Sequence, residues 1–177
     1  MSQISKKVRD AVRSRLSDST NGFNAKLSAV ASQYGLTPFT VDWTTSSKQL
    51  FEARAHPSDL EKSTPSKYPL VTLYVLRARN TRENKPQLFS GFIDVVLDFH
   101  VTARGVVASA LKTLQDTADA IEDAVFASLD PFSWTGAYTP PVALVGGPDL
   151  EREPVEMDGE NWRQTLSFML TFQVDTN

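Results

Sequence analysis

Residues Asn161 to Val174 read NWRQTLSFMLTFQV. Trp162, Gln164, Leu166, Phe168, Leu170, Phe172 and Val174 share one parity, and Arg163, Thr165, Ser167, Met169, Thr171 and Gln173 share the other. A period of two with one apolar and one polar set is the pattern of a strand that covers a core on one face. At roughly 3.3 Å per residue the strand would run about 45 Å, far beyond the usual five or six residues. A strand of that length implies a wide sheet, so the rest of the chain is read for its partners.

Two upstream stretches supply them. Tyr68 to Arg79 (YPLVTLYVLRAR) is rich in β-branched and aromatic residues. Leu88 to Val101 (LFSGFIDVVLDFHV) alternates, with Phe89, Ile93, Val95, Leu97, Phe99 and Val101 on one face. The polar linker NTRENKP between them predicts an antiparallel pair. Short strands are also predicted at Phe39 to Trp43 and Gln49 to Arg54, joined as a hairpin through the polar TTSSK run. Leu150 to Met157 reads as extended, with Asp158 and Gly159 turning into the long strand. His56 to Lys67 reads as a loop, and Phe132 to Pro148 as irregular because of its turn residues, with Val142 to Val145 as a possible short strand.

Three segments carry helical spacing. Gln3 to Leu16 places Ile4, Val8, Ala11, Val12 and Leu16 on one stripe, with Lys6, Lys7, Arg9, Arg13 and Arg15 around it. Phe23, Leu27, Val30, Ala31 and Tyr34 define a second helix, stopped by Gly35 and Pro38. Val106 to Leu129 is the main helix, its apolar stripe being Val107, Leu111, Leu114, Ala118, Ile121, Val125 and Leu129. The prediction is a single α+β domain over residues 1–177: a helical segment at 1–36, then at 37–177 a mainly antiparallel β-sheet packed against the N-terminal helices and the long helix 106–129.

Composition narrows the function. Hydrophobic residues make up 41% and charged residues 22% of 177, the balance of a folded domain. A net charge of −3 leaves no cationic excess for a long nucleic-acid footprint. The absence of cysteine removes disulfides, thiolate nucleophiles and cysteine-based metal sites, and suits a reducing cytoplasm. The N-terminus lacks the apolar run of a signal peptide, and no stretch of eighteen apolar residues occurs, so synthesis in the cytoplasm without a membrane is expected.

Catalytic signatures are sparse. No G-x-S-x-G elbow is present, and the VGGPD around Gly146 and Gly147 is neither a P-loop nor a dinucleotide fingerprint. His56 and His100 have no second histidine at metal-ligand spacing. Asp94, Asp98 and His100 share the polar parity of their strand; they are read as charges on a solvated outer face, against the alternative of a small metal-dependent hydrolase built on them. No enzyme activity, cofactor or bound metal is expected. Two charge blocks stand out: Lys6, Lys7, Arg9, Arg13 and Arg15 near the N-terminus, and Asp149, Glu151, Glu153, Glu156, Asp158 and Glu160 before the long strand. Against the reading of two solvated faces stands that of complementary edges meeting between copies, which makes Lys6, Lys7, Arg9, Arg13, Arg15, Glu151, Glu153, Glu156, Asp158 and Glu160 candidate interface residues.

The segments GFNAKLSAVASQYGL (Gly22 to Leu36), DLEKSTPSKYPLVTLYVLRARN (Asp59 to Asn80), FSGFIDVVLDFHV (Phe89 to Val101) and PVEMDGENWRQTLSFMLTFQV (Pro154 to Val174) together resemble the tail terminator, or tail completion, proteins among the minor tail proteins of long-tailed bacteriophages. The resemblance implies helices packed on an antiparallel sheet, in subunits that form a hexameric ring at the head-proximal end of the tail. Such a ring caps the tail tube, stops its polymerisation and docks the head completion or neck protein, while DNA passes through the lumen without sequence-specific contacts. A head–tail connector, neck or other minor tail protein is the alternative within the virion.

Overall fold

The computed structural model describes residues 2–44, 46–57, 59–60, 68–81, 89–130 and 142–175. Its elements run α1 (Ser2–Leu16), α2 (Phe23–Ala31) with a 3-10 turn at Ser32–Tyr34, β1 (Leu50–Phe51), β2 (Leu70–Asn80), β3 (Ser90–Arg104), α3 (Val107–Ser128), β4 (Val142–Arg152), β5 (Glu156–Asp158) and β6 (Asn161–Asp175). The strands form one sheet in the order β1-β2-β3-β6-β4, with β5 paired to the start of β6. Every pairing is antiparallel except β1 with β2, so the fold is α+β with a mainly antiparallel sheet.

The long strand takes the centre. β6 and β3, fifteen residues each, pair in unbroken register from Ser90 opposite Asp175 to Arg104 opposite Asn161. That register sets Ile93, Val95, Leu97, Phe99 and Val101 beside Phe172, Leu170, Phe168, Leu166 and Gln164, and all but Gln164 are buried. The helices cover this inner face: α3 lies on β3 and β6, α1 on β2 and β3, and α2 on α3. Rings run through the layers as Trp43, Phe23, Phe99, Phe168 and Phe126, at centroid separations of 5.6, 5.0, 5.9 and 6.3 Å. Aromatic contacts of this kind add to area burial and tie loop, helix and sheet into one core.

The hairpin expected from Phe39 to Arg54 does not form. Val41 and Trp43 are buried and Thr40 and Asp42 exposed, as alternation demands, but the backbone of 39–43 meets side chains instead of a strand. The Asn24 amide donates to the Val41 carbonyl and its oxygen accepts the Val41 N–H, both at 2.9 Å, while Gln49 Oε1 accepts from Asp42 N at 3.0 Å. Only Leu50 and Phe51 of the second stretch pair, and they do so parallel to β2.

Within Phe132 to Pro148 the short strand expected at Val142 to Val145 forms, and the reading of Gly146 to Pro148 as irregular is corrected. Val142 to Pro148 belongs to the eleven-residue β4, whose register slips twice, between Leu144 and Gly146 and between Gly146 and Asp149. The glycines and proline that suggest a turn are bulge residues, which bend an edge strand without ending it. Residues 132–141, most of the predicted 56–67 loop and most of the linker after Asn80 lie outside the described residues.

The main helix departs from its predicted stripe in the first turns. Leu114, Ala118, Ile121, Val125 and Leu129 are buried, whereas Val107 and Leu111 are exposed and Val106 is 79% exposed. Ala110 is buried in the first turn, so it is the flank carrying Val106, Val107 and Leu111 that stays exposed.

Candidate functional site

The outer face of the sheet, opposite the helices, is expected from its polar residues to be solvated. Along β3 it is not: Asp94, Val96, Asp98 and His100, with Thr72 beside them, are buried, Asp94 being only 2% and His100 5% exposed. A bulge explains part of this: β2 slips between Val75 and Arg77, which leaves Leu76 unpaired and brings Arg77 opposite Asp94 on the outer face. Arg77 then grips the Asp94 carboxylate through Nε at 2.7 Å and a terminal nitrogen at 2.6 Å, Thr171 donates to its other oxygen at 2.9 Å, and Arg79 stands 3.7 Å away. Arg79 also lies over the Phe92 ring, its cross-strand neighbour.

Further along β3, Asp98 accepts hydroxyl hydrogens from Ser167 at 2.7 Å, Thr72 at 3.0 Å and Tyr74. Burial pushes the Asp98 carboxyl above its usual range, against the pull of those three hydroxyls. His100 is held through Nδ1 by Thr165 Oγ1 at 3.0 Å, and its Nε2 is buried with no hydrogen-bond partner. Burial lowers the His100 pKa to about 4, with a smaller contribution from His56, so the ring is neutral at physiological pH.

Asp98 and His100 lie on the floor of a cleft of about 1060 Å³. Tyr74, Val96, Thr165, Ser167 and Met169 complete the floor; Arg54 to Pro57 form one wall and Asp149 to Met157, after β4 turns towards β5, the other. Arg54 lies 6.0 Å over the Tyr74 ring and braces the first wall. The second wall carries Asp149, Glu151, Glu153 and Glu156, so most of the acidic block rims this cleft.

The alternative metal site on Asp94, Asp98 and His100 does not assemble. At roughly 3.3 Å per residue, Asp94 and His100 stand about 20 Å apart along one strand, and the Asp94 carboxylate is already engaged by a guanidinium and a hydroxyl. Among the described residues no group of three histidine or acidic side chains gathers at metal-binding spacing.

The candidate interface residues fall on opposite sides of the molecule. In α1, Arg13 bonds Glu52 at 2.5 Å and Asp10 at 2.7 Å, Arg9 stands 3.6 Å from Glu52, and Arg15 Nε donates to the Ser128 carbonyl at 2.8 Å. The arginines therefore fasten α1 to β1 and α3, and Lys6 and Lys7 are exposed. Glu151, Glu153 and Glu156 are exposed at the outer-face cleft, Asp158 pairs through its backbone with Asn161, and Glu160 meets Arg104 at 3.1 Å in open solvent.

A second surface lies where the Met157 to Glu160 turn leads into the long strand. Where β3 runs into α3 beside the β5–β6 hairpin, Val106, Val107, Met157 and the half-buried Trp162 line a shallow apolar groove of about 600 Å³, with Arg104 and Glu160 at its rim. Val107 is 52% and Met157 65% exposed. The exposed start of an apolar helical stripe is the signal that marks it. Met157 also lines the outer-face cleft, so the two surfaces are continuous.

Comparison with protein-family models and with curated proteins gives no match. Among the described residues no helix is long and apolar enough to cross a membrane.

Proposed function

We propose that the chain is a structural subunit of a phage tail: a tail terminator that closes into a ring, hexameric in the family it resembles, on the head-proximal end of the tail tube. The observation that carries the assembly reading is the apolar groove at the β3–α3 junction. A contiguous surface containing Val106, Val107 and Met157, exposed and flanked by polar residues, is the composition of a protein contact. Its occupant is a second copy of the chain, because the groove runs on into a charged cleft whose sign opposes that of the exposed end of α1. Groove and α1 are different patches, so the contact is heterologous and closes as a ring if the rotation permits.

In this role the protein has no turnover, metal or cofactor. It stops tube polymerisation by covering the last layer of tube protein, offers its far side to the head completion or neck protein, and lets DNA pass through the lumen without base contacts. The particle is its location, after synthesis in the host cytoplasm. A connector or neck protein is the second reading, since it too needs a small ring-forming α+β subunit. Electron microscopy of tails made without this protein separates the two: overlong tubes support the terminator, and tails of normal length that fail to join heads support the neck protein.

A further inference from the structure

We propose that the two margins of the sheet pair with each other between copies: Arg77 to Arg79 of β2 lie antiparallel to Asp149 to Glu151 of a neighbour's β4, with Ala78 opposite Leu150. This deepens, and rests on, the ring-subunit reading.

Both margins carry backbone groups that point out of the sheet. β1 covers β2 only at Val71 and Thr72, and β4 is the last strand on the other side. At the far end of β2 the Thr81 N–H donates to the Ser90 carbonyl at 2.7 Å, and just past β4 the Glu153 N–H donates to the Thr165 carbonyl at 2.9 Å. Stepping back by twos, Arg79, Arg77, Glu151 and Asp149 bond inward, so Ala78 and Leu150 between them turn their N–H and C=O outward. Among the described residues no backbone group meets either of them there. Outward backbone of this kind is a template for another strand.

Backbone, charge and packing agree on one register. With Ala78 opposite Leu150, those two residues exchange both backbone hydrogen bonds. Arg77 then faces Glu151 and Arg79 faces Asp149, both as non-hydrogen-bonded pairs, in which cross-strand side chains lie closest. Arg77 and Arg79 keep 57% and 52% of their side chains exposed on the outer face, and Asp149 and Glu151 are exposed on the same face of β4, so both pairs join opposite charges. Ala78 and Leu150 share the inner parity, beside Ile93 and Phe168. Sliding β4 by two residues one way sets Ala78 against Pro148, which has no N–H to give. Sliding it the other way sets Ala78 against Arg152, whose guanidinium is held by Asp119 and Glu122 of α3.

Strand direction suits the same contact. β2, β3, β6 and β4 alternate in direction, so β4 runs opposite to β2 within one chain. A neighbour turned about an axis along the strands therefore brings its β4 antiparallel to β2. Each copy gives one margin and receives the other, which is the head-to-tail contact of a closed ring.

The chain contains no cysteine, so an engineered disulfide reports this contact alone. Arg79→Cys/Asp149→Cys puts two thiols at a non-hydrogen-bonded pair, within disulfide reach. Under conditions in which the wild type assembles, alone or with tail tube protein, oxidation of this full-length variant should give a ladder of linked copies on a non-reducing gel. Either single variant, and Arg79→Cys/Glu151→Cys in the slid register, should link at least about tenfold less. In sedimentation velocity Arg79→Asp should weaken association about tenfold, more at low salt, and Arg79→Asp/Asp149→Arg should recover most of the loss. The ladder or the recovery supports the pairing. Absence of both in a chain whose wild type assembles, or an equal ladder from the slid register, overturns the pairing and leaves the ring reading intact. A wild type that stays monomeric even with tail tube protein present refutes the ring reading, and the pairing with it.

Discussion

Replacing His100 with glutamine should flatten one limb of the protein's stability profile against pH. In the folded chain burial holds the imidazole at a pKa of about 4, against 6.5 when it is free. The unfolded state therefore takes up the proton first, so stability is complete above pH about 6.5 and is lost as pH falls towards about 4. At about 1.4 kcal/mol per pH unit, the wild type should lose about 3 kcal/mol across that window relative to His100→Gln. Asp98, two residues away with a raised pKa, contributes with the opposite sign, but it is present in both proteins and drops out of the difference. The assay is urea unfolding of both proteins at fixed concentration between pH 7.5 and 4, with the free-energy difference plotted against pH. A flat difference would mean that the folded imidazole accepts a proton as readily as a free one, and would refute the buried, neutral floor of the cleft.

Three further substitutions probe the layers beneath. Asp94→Ala removes the acceptor of Arg77 and Thr171 on the outer face. Because Arg77 is more than half exposed and rehydrates, the loss should be about 2 kcal/mol rather than the full cost of breaking a buried pair, a Tm drop of about 4–8 °C by calorimetry. Phe168→Ala deletes a fully buried ring that meets Phe99 and Phe126 edge-on, and should cost about 3–5 kcal/mol in chemical denaturation. Gly147→Ala and Gly146→Ala should differ sharply in thermal melts. Gly147 sits at φ +84° with a new Cβ overlapping the Met169 carbonyl oxygen, for a cost of about 2–4 kcal/mol, whereas at Gly146 the nearest atom is Thr171 Cβ at 3.4 Å and the change should stay within about 0.5 kcal/mol.

Much of this fold is legible wherever one face of an element is buried and the other is not. The parity of Leu166 to Val174, the match of Ile93 to Phe99, and the stripes of α1 and α3 each follow from a core on one side. Periodicity reports which face is covered but not by what. Phe39 to Trp43 alternates as a strand should, but Asn24 and Gln49 stand in for the neighbouring strand, and a side-chain amide at that distance in sequence leaves no local signature. The same limit hid the continuity of β4 between its two expected ends, where Gly146, Gly147 and Pro148 are turn residues by composition and bulge residues in place.

The site was harder to read for a related reason. Asp94, Asp98 and His100 sit on the polar parity, which in an open sheet means solvent. Their burial depends on a bulge that moves Arg77 onto that face and on two walls drawn from residues about forty positions upstream and fifty downstream of Asp98. Neither is encoded in the alternation of β3 itself. The charge blocks were visible as blocks, but their division was not: three arginines of α1 turn inward to Glu52, Asp10 and the Ser128 carbonyl, and the acids line a cleft instead of a free edge. The apolar groove shows the converse, since Val107 lies on the predicted apolar stripe and is exposed.

Assembly is the claim on which the functional account stands, and light scattering coupled to size-exclusion chromatography tests it most directly, on the chain alone at rising concentration and again with tail tube protein. The account predicts a discrete closed oligomer, forming either in the free protein or on the tube. A mass that stays at 19.6 kDa under both conditions would contradict it.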